Sequence, residues 1–139
     1  MKAPIPVPHA DVIRTIYAAF SRGDVPAITS LVADKVDWNN SATAAGKAPW
    51  NADFSGKAKL PGFFAALAKH ADIPVFELKE FVSEGSHVVV RVHLRIVMKK
   101  NGRAAEYDSL HFWTFDGAGK VSGYRHFNDT AAELAAWQG

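Results

Sequence analysis

Two histidines, His111 and His126, stand inside runs of large apolar residues, HFWTF and YRHFN, on either side of the turn Asp116-Gly117-Ala118-Gly119. An imidazole in an apolar interior must find a hydrogen-bond partner or face a cavity, because burying an unpaired polar group costs free energy. Facing a cavity, such a histidine serves as a general acid or base, or as an electrophilic donor to a ligand oxygen. The competing reading is a structural histidine bonded to Tyr124 or to backbone. Tyr124, Asn40 and Asn128 supply hydroxyl and amide groups that would orient a polar ligand atom, and Trp38, Trp50, Phe64 and Trp113 supply aromatic wall. Zinc is not expected: two histidines need a third ligand, and the other inward candidates are amides and hydroxyls. No cofactor is expected either.

The 139 residues suit one domain, which at that length buries roughly 68–70% of its unfolded surface. Hydrophobic residues make up 48% of the chain and charged residues 22%, an ordinary globular balance. The formal charge is +2 with a pI near 8.9, and the signs alternate along the chain, which argues against a nucleic-acid partner. The absence of cysteine excludes disulfides, thiolate metal ligands and cysteine nucleophiles. No apolar run is long enough to span a membrane. Three prolines fall within the first eight residues, so 1–8 read as a flexible arm rather than a signal peptide. A cytoplasmic location is the expectation.

The elements that must hold the histidines follow from periodicity. Val12, Ile13, Ile16, Tyr17 and Phe20 recur at helical spacing and Gly23 stops them, which predicts a helix over residues 9–22. Asp24 caps a second helix with Pro26 in its first turn and Ile28, Leu31 and Val32 on its apolar face. A short strand follows, with Val36, Trp38 and Asn40 inward and Lys35, Asp37 and Asn39 outward. Residues 41–54 read as a long loop carrying Trp50 and Phe54, of the kind that forms functional lids. Leu60, Phe63, Phe64 and Leu67 mark a third helix that ends near His70. Strands over 75–84 and 87–98 meet at Gly85-Ser86, with Glu80 opposite Arg91. Thr130 and Glu133 form a capping box for a last helix ending near Trp137. His9, His70, His87 and His93 read as surface groups, and Lys99, Lys100 and Arg103 as a solvated hairpin tip.

Register decides which side His111 occupies. A two-residue type I′ turn at Asn101-Gly102 sets Met98 opposite Ala105, Ile96 opposite Tyr107, Leu94 opposite Ser109 and Arg95 opposite Asp108. His111 then lies on the apolar face. In the last hairpin a four-residue loop pairs His111 with Tyr124 and Ser109 with His126, bringing Tyr124, His126 and Asn128 inward. A three-residue loop would instead bring Arg125 and Phe127 inward. The first is preferred because it keeps a guanidinium out of the core.

Helices first, then a short strand, a helix and a run of strands, make an α+β domain with a curved sheet against helices. Through AAFSRGDVPAITSLVADKVDW, FSGKAKLPGFF and HFWTFDGAGKVSGYRHFNDTA, the chain resembles the nuclear transport factor 2-like superfamily, and within it the SnoaL-like and ketosteroid-isomerase-like branch. The resemblance covers nearly the whole of 1–139 as a single SnoaL-like domain. It implies a cone-shaped fold, a curved, mostly antiparallel sheet wrapped around N-terminal helices, and an apolar pocket on the concave face. Ketosteroid isomerase is a worked case of an Asp base with a Tyr and a protonated Asp as oxyanion hole. The resemblance puts the base position at Asn40, the tyrosine at Ile16, its supporting tyrosine at Phe64 and the second acid at His111. Asn40 cannot take a proton and Ile16 cannot donate a hydrogen bond, so that mechanism is excluded. Tyr17 lies about 100° around the helix from the expected tyrosine and is no simple substitute.

The expected function is binding of an apolar, polycyclic or isoprenoid-like carbonyl compound. If catalytic, the chemistry would be cofactor-independent proton transfer, as in an isomerase or cyclase, with His111 as acid/base and His126, Tyr124 and Asn40 assisting. The alternatives are a non-catalytic carrier and a protein-interaction module. Leu110 and Phe112 beside Arg91, His93, Arg95 and Asp108 on the outer sheet face suggest a homodimer.

Overall fold

The computed structural model describes residues 8–39 and 48–139. In chain order the elements are α1 (His9–Ser21), α2 (Val25–Thr29), β1 (Val32–Trp38), a 3-10 turn (Lys57–Lys59), α3 (Leu60–His70), β2 (Ala71–Glu84), β3 (His87–Met98), β4 (Ala104–Phe115), β5 (Val121–Phe127) and α4 (Thr130–Gln138). The five strands form one sheet in the order β1-β5-β4-β3-β2, with β1 parallel to β5 and the other neighbours antiparallel. This is the α+β architecture expected, with the helices on the sheet's inner face. Among the described residues no helix is long and apolar enough to cross a membrane.

Ile13, Ile16, Tyr17 and Ala19 are buried on α1, an apolar stripe wide enough to turn two consecutive residues, 16 and 17, toward the sheet. The helix stops at Gly23, whose φ of 69° suits a residue without a side chain. The Asp24 carboxylate then accepts from the Ala27 amide at 3.2 Å, capping α2. Val32 belongs not to that helix but to β1, where it pairs with Val121. Pro74 is tolerated because β2 is an edge strand and its ladder is irregular between Asp72 and Val75.

The inner face of the sheet is built by alternation. Val88, Val90, Val92, Leu94, Ile96 and Met98 of β3 are all buried, as are Ala105, Tyr107, Ser109, His111, Trp113 and Phe115 of β4. Each fully buried Val or Ile contributes about 1.5–3 kcal/mol by leaving water. Glu80 pairs with Arg91 as expected.

Both later registers differ from expectation by two residues. A type I′ turn needs positive φ at both Asn101 and Gly102, and only Gly102, at 73°, has it. Instead the Gly102 amide donates to Met98 O and the Met98 amide to Arg103 O, which closes a longer turn. Leu94 therefore faces Tyr107, Val92 faces Ser109, Val90 faces His111 and Arg95 faces Glu106. The Asn101 amide is used elsewhere, donating to Ala136 O of α4 at 2.9 Å.

In the last hairpin Asp116 Oδ1 accepts from the amides of Ala118 and Lys120, tightening the loop so that Phe115 pairs with Val121. That turn alone would have brought Arg125 and Phe127 inward. A bulge at Ser122 restores the other parity, and beyond it His111 faces His126 and Trp113 faces Tyr124. An even shift leaves every side chain on its face, so His111, Tyr124, His126 and Asn128 all line the inner cavity.

Smaller departures concern the rim. Asp129, not Thr130, caps α4, with its carboxylate 3.1 Å from the Ala132 amide, and Glu133 is fully buried instead of reaching back to the cap. His9 stacks on Phe115 at 4.0 Å and His70 packs edge-on against Trp137, so neither is a bare surface group. The hairpin tip is likewise held down, with Lys100 Nζ 3.7 Å above the Trp137 ring and Lys99 Nζ donating to Ala68 O at 2.7 Å.

Candidate functional site

Between the sheet and the helices lies a cavity of about 80 Å³. Of the residues expected there, Trp38, Trp50, Phe64, His111, Trp113, Tyr124, His126 and Asn128 line it. Asn40 lies outside the described residues. The polar groups fall into two sets.

The first set is a chain from α1 to β4. The Trp113 indole N–H donates to the Tyr17 hydroxyl at 3.1 Å, and that hydroxyl stands 2.6 Å from Nδ1 of His111. An indole nitrogen only donates, so the Tyr17 oxygen accepts from it; the Tyr17 proton meets no other acceptor among the described residues, and giving it to Nδ1 satisfies all three groups. The remaining ring proton of His111 is then on Nε2. Among the described residues nothing meets that nitrogen, and the ring lines the cavity. Burial pushes the His111 pKa down to about 3, with the charge of His126 a second, smaller cause. Burial likewise drives the Tyr17 hydroxyl well above its usual range, partly offset by the Trp113 bond. At neutral pH the imidazole is therefore an uncharged donor rather than a base.

The second set surrounds His126 and is closed. Asn39 Oδ1 accepts from the His126 backbone amide at 3.1 Å, which turns Asn39 Nδ2 toward Nδ1 of the ring at 3.4 Å. Tyr124 reaches the same Nδ1 at 3.2 Å. On the other side Nε2 is 2.8 Å from Asn51 Oδ1. Asn51 presents its oxygen because its Nδ2 donates to Glu133 Oε1. Both amides thus dictate one tautomer, with the proton on Nε2 and Nδ1 accepting. Burial pushes the His126 pKa down to about 4. Both ring nitrogens are occupied within the protein, unlike those of His111.

Glu133 anchors this set from α4. Besides Asn51 it accepts from the Tyr107 hydroxyl at 2.5 Å and from Asn128 Nδ2 at 3.2 Å, while Asn128 Oδ1 accepts from Ser109 at 2.6 Å. The Tyr107 hydroxyl is held far above its usual range by burial and then by the Glu133 charge. Among the described residues no group of three or more His, Cys, Asp or Glu side chains is placed to hold a metal.

Sequence reasoning passed over Tyr17, Asn39, Asn51 and Glu133. The signal for Tyr17 was present, since positions 13, 16, 17 and 20 form one broad apolar stripe. Asn39 reads as outward by alternation, but its φ of 55° turns it inward and buries it, a conformation that asparagine tolerates.

A curved five-stranded sheet packed against helices, with an apolar cavity between them, is the nuclear transport factor 2-like fold. The model of the SnoaL-like domain matches residues 13–124, and the chain belongs to that family. A nuclear transport factor 2-like protein from Burkholderia xenovorans is 25% identical, with 92% of this chain and 94% of that one covered at a TM-score of 0.81. TerC, co-crystallised with polyporic acid, is 25% identical over 96% of this chain and 100% of its own, also with a TM-score of 0.81. Δ5-3-ketosteroid isomerase from Mycobacterium sp. shares the fold at 17% identity, covering 91% of this chain and 97% of its own, with a TM-score of 0.72. Comparison with proteins of curated function gives no match.

Proposed function

We propose that the protein binds an apolar carbonyl compound, whose oxygen accepts a hydrogen bond from Nε2 of His111. The observation that carries this reading is the Trp113–Tyr17–His111 chain, which is satisfied throughout when the ring proton sits on Nε2, the nitrogen left without a protein partner among the described residues. A buried, uncharged N–H donor in an aromatic enclosure favours a neutral oxygen acceptor over an anion. Co-crystallisation of TerC with polyporic acid supports the reading that this fold takes up a small organic molecule.

A second reading is cofactor-independent proton transfer of the isomerase or cyclase type. It is favoured by Glu133, which lines the same cavity as His111 and so sets a carboxyl and a neutral donor around one space. In that case His111 polarises the carbonyl as an electrophile instead of taking the proton. Asn51, Tyr107 and Asn128 already occupy the Glu133 oxygens, so binding is the leading reading.

Thermal denaturation with paired ketones and matching hydrocarbons tests the proposal. A ligand at 100 times its dissociation constant adds roughly 2.7 kcal/mol of stability. The wild type is expected to prefer ketone to hydrocarbon, and His111→Phe to lose the preference. Equal preference in both would remove His111 from recognition.

The outer sheet face supports a homodimer. Val82, Leu110, Phe112 and Phe127 are exposed there at 38–60%. Beside them runs a ladder of both signs, in which Arg91 bonds Glu80 and Asp108 while His93 bonds Asp108 and Glu106. Apolar groups interleaved with both charges suit a self-complementary contact.

A further inference from the structure

The inner cavity, at about 80 Å³, is smaller than the roughly 150 Å³ apolar void that takes a benzene ring. Outside it, between the α1–α2 corner, α3 and the start of β2, lies an open groove of about 750 Å³. Cavity and groove share Phe20, Ile28, Phe64, Leu67, Ile73 and Phe76 as lining. All but Ile28 are only half-buried, in contrast to the fully buried Trp38 and Trp50 deeper in the cavity. Phe20 contacts both Phe64 and Phe76, at 6.0 and 5.3 Å between ring centres. Phe76 in turn lies 6.3 Å from the His111 ring. One layer of aromatic side chains therefore separates the groove from the free His111 nitrogen.

We propose that cavity and groove are two halves of one binding site, for an elongated apolar ketone whose carbonyl end passes Phe20, Phe64 and Phe76 to reach His111 while its apolar tail lies along the groove. The inference rests on the carbonyl reading of His111 and names the shape of the ligand. The groove is apolar along Val25, Pro61, Ala65 and Ala68, and its one lysine, Lys99, is already engaged with Ala68 O at 2.7 Å and Asp72 at 3.7 Å. The tail is therefore uncharged. Rotation of half-packed phenylalanines needs no backbone change, which makes the partition passable on the timescale of rotamer exchange.

Calorimetric or ligand-observed NMR titration with butanone and 4-phenylbutan-2-one, whose carbonyl ends are narrow enough for the inner cavity, tests this on the full chain. The wild type is expected to bind the phenyl compound at least tenfold more tightly. Ala65 and Ala68 are exposed on α3 and line only the groove, so Ala65→Trp and, separately, Ala68→Trp fill it without touching the core. Each is expected to bring the affinity ratio of the two ketones close to one. An unchanged ratio in both variants, or no advantage for the phenyl compound in the wild type, overturns the two-part site while leaving the carbonyl reading standing. If neither ketone binds the wild type, the carbonyl reading fails and the two-part site fails with it.

Discussion

The Tyr17 hydroxyl lies 2.6 Å from Nδ1 of His111, joining the first helix to the central strand across 94 residues of sequence. That contact sets the chemistry of the cavity, because it leaves Nε2 as the protonated and unpartnered nitrogen.

Removing the hydroxyl should be felt in stability as well as in binding. Tyr17→Phe leaves both Nδ1 of His111 and the Trp113 indole without a partner in a buried site, at a cost of about 1–3 kcal/mol. Urea denaturation of the variant measures it. A loss below about 0.5 kcal/mol, less than a typical net hydrogen bond, would mean that the contact directs nothing.

Stability should also depend on pH in a defined direction. His111 and His126 have folded pKa values of about 3 and about 4, below the ordinary 6.5 of an unfolded histidine. A base depressed by folding contributes stability that is complete above the unfolded pKa and is lost as pH falls through it, because the unfolded chain then binds more protons. Between pH 7.5 and pH 5 the loss should approach about 2 kcal/mol for each ring. His93, raised by its Asp108 and Glu106 bonds, works in the opposite sense but is exposed and weak. Chemical denaturation across this range should show stability falling toward acid, and a flat profile would contradict neutral burial of the two rings.

The closed set makes a prediction of its own. Glu133 orients Asn51, and Asn51 orients the proton of His126. In Glu133→Gln one side-chain oxygen faces three donors, so Asn51 is expected to flip and to push the His126 proton toward Nδ1, where the Tyr124 hydroxyl can accept it. Imidazole 15N spectra should show the His126 tautomer shifting from Nε2–H, with His111 unaffected. A His126 signal identical to wild type would remove Glu133 from that role.

The extent of the site that was legible in the sequence follows from parity and from glycine. Alternation put His111 on the inner face; for His126 it left two parities open, and keeping Arg125 out of the core chose the one that the bulge at Ser122 restores, so an error of two residues in each register left both histidines inward. What failed was the choice of neighbours, because Asn101-Gly102 has the composition of a type I′ turn while only the glycine adopts positive φ. Asn39 was invisible for a related reason, since one left-handed residue reverses the alternation that precedes it. Glu133 was read as half of a capping box, a pattern that a buried carboxyl three residues into a helix matches equally well. Tyr17 was set aside because a family template pointed at position 16, although both positions face the sheet.

The outer face can be tested apart from the pocket. Leu110 lies opposite Phe127, and both are about half exposed, at 44% and 47%. Leu110→Lys should convert a wild-type particle of about twice the 15.1 kDa chain mass into a monomer in sedimentation, without loss of the folded signal. A wild-type particle that is already monomeric at micromolar concentration would remove the dimer.

The most direct measurement is the long-range 1H–15N spectrum of the imidazoles at pH 7, recorded while a ketone ligand is added. His111 is expected to be neutral with its proton on Nε2, and that proton resonance should move downfield as the carbonyl binds, while Nδ1 remains an acceptor. A His111 that carries its proton on Nδ1, or an Nε2–H signal unmoved by a ketone that demonstrably binds, would contradict the assignment of His111 as the carbonyl donor.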